Sequence, residues 1–544
     1  MLFYSFVVAM IASMSSIPLL MRWSVSRKLM DQPGERKVHK KPIPEVGGIA
    51  MFLGAIIPIV TWLALDAQVF AFLMGIGVIF VFGVWDDYKD LNYRIKFLGQ
   101  LIAAIIVVVF ADVRIHYLPF LGLEPVSVYI AAPLAIFALL GITNAINLAD
   151  GLDGLAGGTT LLSLSAIAVL AYQVDAMQIS VIAVTIMGCL IGFLRFNTFP
   201  ARVFMGDAGS QFLGFSLGVL CIWLTQRVHT ALSPVFPVVL LGLPIFDTLF
   251  VMANRLRQGR SPFSPDRNHI HHKLLAIGFD HHTAVALIYV AQAVLVTTAY
   301  LTRYQSDATI LGFYLGFCAF VGLFVTWMPR YGRKKPAVNG IKEPSLMRRW
   351  MEWTVDSGRL GQVINACLVL MILAYVFPPL VFGDGVPRDI GIMASALLSV
   401  LACLYFRWHG NPLSMYEHLG LYLAISIFIY YVNSIPGGFI GTGTTELLFF
   451  VLMAILVVVG LRVSQAQEFQ LTTLDILVLF IALVVPNLPG TGLNGQVLGM
   501  ALAKMCIFFY AMELVLANTP KRSDHVRMLT LGMLSTLTVR QLFL

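Results

Sequence analysis

The chain has 544 residues, of which 58% are hydrophobic and 12% charged, about half the charged fraction of an ordinary soluble domain. That excludes a water-soluble enzyme, and because apolar stretches of roughly 17 to 23 residues recur about seventeen times, the sequence predicts an all-α polytopic integral membrane protein. The 36 Lys and Arg against 28 Asp and Glu, net +8, are read through their placement along the spans and not as a nucleic-acid signature.

In chain order the predicted spans lie near 3–21, 47–65, 69–85, 97–111, 127–147, 158–173, 179–194, 210–226, 231–251, 284–302 and 308–327, then 361–382, 389–406, 415–433, 443–461, 474–486 and 495–517. The first is followed, not preceded, by basic residues, the reverse of a secretory signal, so it is expected to remain as a span. With the N-terminus outside, the connections beginning at 22, 86, 148, 195, 252, 328, 407, 462 and 518 face the cytoplasm and carry 31 Lys and Arg. The outer connections carry four, Arg114, Arg227, Arg303 and Arg388, and Lys504 falls inside a span; the positive-inside rule sets this orientation. The basic stretch Pro329 to Arg359 divides a core of about eleven spans (1–328) from a linker (329–360) and a six-span extension (361–544). Cys189, Cys221, Cys318, Cys367, Cys403 and Cys506 lie in apolar stretches without C-x-x-C spacing and are read as buried thiols.

Four polar segments fall on the cytoplasmic side of this topology, all within the core, and imply one shared site. In Trp85-Asp86-Asp87-Tyr88-Lys89-Asp90 three carboxylates end a span, and a divalent cation would relieve their repulsion. The D-D-x-x-D pattern also suits isoprenoid-diphosphate enzymes, so it does not choose a reaction. Asn144 to Gly158 packs Asn144, Asn147, Asp150, Asp153 and four glycines into fifteen residues; glycines let backbone approach a phosphate, and Asn144 and Asn147 share one helical face. Arg195-Phe196-Asn197 leads to Val203-Phe204-Met205-Gly206-Asp207-Ala208-Gly209-Ser210, where Asp207 stands beside a helix start and suits either a metal-bound phosphate or a plain N-cap. Ser261 to Lys273 holds Arg267, His269, His271 and His272, whose cations and imidazoles can neutralise phosphate oxygens; a zinc site fits this spacing less well. His281 and His282 read as ordinary loop residues, and Asp247 as an intramembrane acid facing the same site.

The Asp86-Asp87 pair, N-x-x-N-x-x-D-G-x-D-G-L, F-M-G-D-x-G-S and D-R-x-H-x-H-H together resemble the bacterial polyprenyl-phosphate N-acetylhexosamine-1-phosphate transferase family over about residues 1–330, on the undecaprenyl-phosphate N-acetylglucosaminyl-1-phosphate transferase branch. The muramoyl-pentapeptide translocase branch usually has three consecutive histidines where this chain has His269-Ile270-His271-His272. The resemblance implies Mg²⁺-dependent transfer, with Mn²⁺ as an alternative, of N-acetylhexosamine-1-phosphate from a UDP-sugar to undecaprenyl phosphate. UMP is released and a cell-envelope glycan is started at the bacterial inner membrane. Position by position it implies Asp207 as metal ligand and Asp86 and Asp87 as the catalytic pair, with Asp150 and Asp153 beside them. It further implies Asn147 and Asn197 for the nucleotide sugar or the shape of the site, Phe204 for stacking on uracil, Arg267, His269, His271 and His272 for sugar and diphosphate, and Lys40, with Lys41 or His39 as alternative matches, as a further substrate contact. Expected partners are the UDP-N-acetylhexosamine, the polyprenyl phosphate, membrane lipids, and a second copy or downstream glycan-assembly enzymes, with no nucleic acid. The rival readings are a muramoyl-pentapeptide-type translocase, an intramembrane Mg²⁺-dependent prenyltransferase and a transporter, the last from the number of spans and from Lys504 and Glu513, which lie on opposite helix faces.

Overall fold

The computed structural model describes residues 1–27, 29–32, 42–122, 124–261, 269–327, 359–382, 386–407, 414–433, 443–463, 504–505, 507–516 and 522–543. Lys40 and Arg267 lie outside the described residues. Those up to Trp327 belong to one compact unit and those from Arg359 onward to a second.

The first unit is built from α1 (Leu2–Arg27), α2 (Gly47–Trp62), α3 (Ala67–Lys89), α4 (Tyr93–Phe110), α5 (Val128–Ala149), α6 (Leu155–Gln173), α7 (Met177–Asn197), α8 (Gly206–Trp223), α9 (Phe236–Leu240), α10 (Gly242–Arg257), α11 (Ile270–Ile277), α12 (His281–Thr302) and α13 (Asp307–Trp327). Among the described residues of the whole chain, ten helices are long and apolar enough to cross a membrane, and the strand content is the two-residue pair β1 (Met30–Asp31) and β2 (Ile43–Pro44). Helix is the expected answer in a bilayer, because it satisfies every backbone N–H and C=O within one segment. The protein is an all-α polytopic membrane protein.

Helix α8 is the enclosed centre of this unit, continuing through one π-helical turn (Leu224–Val228), with α2, α3, α5 and α6 packed around it. Small residues permit the close approach. A Cβ on Gly48 of α2 would meet the backbone of Gly209 and the Met205 carbonyl, and one on Gly83 of α3 would meet the Ala208 backbone. Such small-residue contacts hold helices together where lipid supplies no hydrophobic drive.

Two segments differ from expectation. The stretch near 231–251 is not one span: it breaks at Leu241 into α9 and α10, since Pro237 and Pro244 each lack an N–H for a continuous ladder. The carbonyl that Pro244 frees is answered by side chains: Leu240 O accepts from Gln292 Nε2 (2.8 Å) and Ser163 Oγ (3.1 Å). Tyr314 Oη donates to Gly242 O (2.9 Å) at the start of α10.

In the second unit the stretch after residue 518, read as a cytoplasmic connection, contains the helix Arg522–Phe543, packed along the helices Arg388–Arg407 and Ser414–Asn433. Its polar residues kept it below the hydropathy of a span, but the hydroxyls of Ser535, Thr536 and Thr538 bond back onto helix carbonyls. Arg540 donates to the carbonyls of Pro379 and Leu380, close to where Pro378 and Pro379 interrupt the ladder of the helix Arg359–Phe382. Lys504 pairs with Glu446 at 2.7 Å and Glu513 with the Tyr422 hydroxyl, so the two charges do not form one pair.

Replacing Gly48 with Ala forces a methyl group against backbone that cannot rotate away, an overpacking cost of about 1–3 kcal/mol. Gly77→Ala, at a position with open space around it, serves as the reference. A thermal melt in detergent should show Gly48→Ala clearly lowered and Gly77→Ala close to wild type; equal melts would show that α2 and α8 are not in backbone contact.

Candidate active site

Helices α3, α5 and α7 end, and α4, α6 and α8 begin, at the same end of the first unit, and the polar segments meet there. The Asp86-Asp87 pair is divided between two tasks. Asp86 is 3% exposed; it accepts the Leu91 N–H at 2.8 Å and is paired with the Lys96 ammonium. Asp87 turns the other way, its oxygens accepting the N–H groups of Asp207 (2.6 Å) and Ala208 (3.1 Å).

The second task answers a defect in α8. A helix start exposes unpaired N–H groups, ordinarily capped by a side chain at the residue before it. The capping position here is Met205, which has nothing to offer, so α3 supplies the cap through Asp87. Gly206 is required twice over at this junction: its φ is +65°, and a Cβ would collide with the Asp87 carboxylate. Asp207 is therefore inside the first turn of α8, and the plain N-cap reading does not apply.

Asp207 projects between three helices. Its Oδ1 accepts from Asn147 Nδ2 at 2.7 Å and its Oδ2 from Lys96 Nζ at 2.9 Å, while Asn147 also donates to Ser210 Oγ. Lys96 thus stands between the carboxylates of Asp86 and Asp207. One turn deeper a neutral tier repeats the arrangement: Gln100 Nε2 donates to Gln211 Oε1 (3.1 Å), and Asn144 Nδ2 to Gln100 Oε1 (2.7 Å). Lys96 and Gln100, Asn147 and Asn144, and Asp207 and Gln211 are pairs three or four residues apart on α4, α5 and α8, so each helix presents one residue to each tier.

The D-G-L-D-G segment is clamped from several sides. Asn197 Oδ1 accepts the Gly154 N–H (2.9 Å) while its amide donates to Val203 O (2.8 Å), tying the loop to the stretch before α8. Asp153 accepts the Ala201 N–H at 2.9 Å, and Tyr289 Oη donates to Gly154 O at 2.7 Å. His281, expected in a loop, opens α12: it is buried, stacks on Phe199 with centroids 4.3 Å apart, and faces the Asp153 carbonyl at 3.5 Å. A Cβ on Gly151 would strike the ring of His271, which brings the His269–His272 segment to the same place. Phe204 is half-buried; its backbone pairs with Pro44 and Gly47.

Asn197 and Asp153 are thus engaged in shaping the loop, while Asp207, Lys96 and Asn147 form the polar junction itself. Sequence reasoning gave no role to Lys96 and missed Gln100, Gln211 and Tyr289. The i, i+4 spacing of Gln100 from Lys96 and of Gln211 from Asp207 was the available signal; Tyr289 had none.

Asp150 sits beside Asp207 and Asp153 with its side chain hydrogen-bonded to no described residue, and burial together with those charges pushes its pKa up to about 7 from an ordinary 3.8. Burial pushes His271 down to about 3, with His272 adding to the effect, so it is a neutral imidazole near pH 7. Between about pH 4 and 7 the folded chain keeps a proton on Asp150 that the unfolded chain has released; stability from this group is present below the ordinary value and lost as pH rises through 7. Asp150→Asn cannot titrate. Its melting temperature should fall less than that of wild type between pH 5 and pH 8, and a wild-type-like fall would show that Asp150 is ionised throughout.

The comparisons with known proteins match the part of the chain that carries these helices. The family model for glycosyl transferase family 4 matches residues 69–225, which run from α3 through the end of α8. The chain is 37% identical over 287 residues to the probable undecaprenyl-phosphate N-acetylglucosaminyl 1-phosphate transferase of Bacillus subtilis (strain 168), covering 52% of this chain and 80% of that protein. It is 33% identical over 345 residues to the decaprenyl-phosphate N-acetylglucosaminephosphotransferase of Mycolicibacterium smegmatis (57% and 84% covered). It is 32% identical over 285 residues to the undecaprenyl-phosphate alpha-N-acetylglucosaminyl 1-phosphate transferase of Escherichia coli (strain K12), with 51% and 77% covered. With relatives above 30% identity matched over more than three-quarters of their length, the chain belongs to glycosyl transferase family 4, alongside these polyprenyl-phosphate N-acetylglucosamine-1-phosphate transferases.

Proposed function

We propose that this chain transfers N-acetylglucosamine-1-phosphate from its UDP-sugar to undecaprenyl phosphate at the cytoplasmic face of a bacterial inner membrane, releasing UMP and starting a lipid-linked envelope glycan. The observation that carries the reading is the junction at Asp207, where a lysine and an amide converge on a carboxylate at the tip of a buried helix, ringed by the aspartate and histidine segments. The names of the relatives support the substrates, and the excess of Lys and Arg on the connections read as cytoplasmic supports the side of the membrane.

In this reaction an oxygen of the lipid phosphate attacks the β-phosphorus of the UDP-sugar, the bond from that phosphorus to the bridging oxygen breaks, and UMP leaves with the electron pair. One phosphoanhydride replaces another, so positioning and charge neutralisation supply most of the catalysis. Lys96 has an ammonium at the junction that can turn to a phosphate oxygen, and Asp86 beside it can take the proton of a singly protonated lipid phosphate. Asp87 acts by holding α8 in place, and Asp153 and Asn197 by fixing the glycine loop against the second substrate.

A divalent cation fits the residues present. Hard carboxylate oxygens of Asp86 and Asp207 already face a cationic group, the Lys96 ammonium, and Mg²⁺ is commonly held by one or two carboxylates completed by substrate phosphates. Among the described residues no set of three acidic, histidine or cysteine side chains forms a metal cage of its own. Asp207 would hold the ion, which would supply charge neutralisation at the diphosphate.

Purified protein given Mg²⁺, undecaprenyl phosphate and UDP-N-acetylglucosamine should yield a lipid-linked sugar diphosphate and UMP; release of UDP would overturn the mechanism. Asp207→Asn, which keeps shape and removes charge, should lower turnover by about 10²-fold or more, as should chelation of the metal, and near-normal activity in either case would remove Asp207 or the metal from the reading.

We also propose that residues 1–328 are the catalytic core and 361–544 an extension with its own role. A chain ending near Ala337 should keep kcat at saturating lipid while tolerating a higher KM, since part of the basic stretch that attracts anionic headgroups is gone. A folded truncation that binds UDP-sugar but makes no product would show that the extension completes the site.

A further inference from the structure

Asp247, on α10, is 7% exposed within an apolar bundle, where an ionised carboxylate needs compensation. Its compensation comes from one peptide junction. Oδ2 lies 2.8 Å from Nδ1 of His269 and Oδ1 accepts the Ile270 N–H at 2.8 Å, so the carboxylate grips both the ring of His269 and the first turn of α11. A carboxylate has no proton to offer Nδ1, so the imidazole must be the donor and Nδ1 carries the hydrogen. On the neutral ring Nε2 is left as an acceptor, and no described residue donates to it. The ring of His269 lies nearly parallel to that of His271, centroids 5.6 Å apart, and His271 abuts Gly151. The pair therefore belongs to the end of the bundle where the glycine loop and Asp207 lie.

We propose that Asp247 is a positioning residue acting through His269, fixing its tautomer so that Nε2 accepts a hydrogen bond from a hydroxyl of the bound nucleotide sugar. The proposal rests on the reading of the His269–His272 segment as part of the transferase site, but the tautomer itself does not.

Asp247→Asn tests it with little change of shape. The new Oδ1 can keep the Ile270 N–H, while the amide nitrogen now donates to Nδ1 and moves the proton of His269 to Nε2, converting the acceptor into a donor. The expected loss in kcat/KM for UDP-N-acetylglucosamine is roughly 10- to 100-fold, the scale found when a carboxylate that orients a ligating histidine is removed. Asp247→Glu, retaining a carboxylate, should recover part of it. In a His269→Ala background the Asp247→Asn change should cost less than about threefold, because its target is absent. An equal loss in both backgrounds would mean that Asp247 merely supports α11 and would overturn the proposal. The ¹⁵N spectrum of histidine-labelled protein, with His269→Ala to identify the signal, reads the tautomer without any activity. Protonated Nδ1 in wild type and protonated Nε2 in Asp247→Asn are expected. Nε2 protonated in wild type would overturn the proposal even in a fully active enzyme, and an inactive wild type with the expected spectra would instead fault the substrate reading.

Discussion

Two carboxylates from α3 and α8 meet at one end of the first unit, and the ammonium of Lys96 from α4 stands between them. Charges of like sign this close would drive helices apart in a medium of low dielectric, so the contact of three helix ends depends on that cation. The neutral tier of Gln100, Gln211 and Asn144 one turn below makes the geometry reproducible. It fixes the rotation of α4, α5 and α8 about their axes by amide bonds that carry no net charge. Rotation of one helix by a residue, about 100°, would withdraw its members from both tiers at once.

That dependence explains the division of labour in the Asp86-Asp87 pair. Adjacent residues on a helix point about 100° apart, so one carboxylate can face Lys96 while its neighbour reaches the N-terminus of α8. The carboxylate at a helix N-terminus gains from the exposed N–H groups and the positive end of the dipole. It also anchors α8 at the turn that carries Asp207, and the close packing of Gly83 against Ala208 brings the two helices near enough for this.

Much of this was legible in the sequence because it is written in local spacing. Asn144 and Asn147 share a face, and the structure places both in polar contacts; Asp207 beside two glycines marks a helix start; Asp247 was readable as an intramembrane acid directed at the site. What was not legible joins residues far apart in the chain. Nothing local tells that Asp87 caps a helix 120 residues later, or that Tyr289 and His281 of α12 reach the D-G-L-D-G loop. Hydropathy averages also hide two backbone events. The break at Leu241 lies in an apolar run where the prolines are the sole marks, and the helix Arg522–Phe543 looks too polar until its hydroxyls are seen bonded to its own carbonyls.

The same junction also sets a limit on stability. Asp150 near Asp207 and Asp153 keeps its proton to about pH 7, so the folded chain loses stability as pH rises from the ordinary carboxylate value to about 7. A core selected for stability alone would replace such a residue. The compensation is visible nearby. Helix α8 is enclosed on all sides, Asn197, Asp153 and Tyr289 each close a hydrogen bond to loop backbone, and small residues let the surrounding helices pack directly on one another. Packing energy gathered along the whole length of α8 is therefore what permits a cluster of carboxylates at its tip.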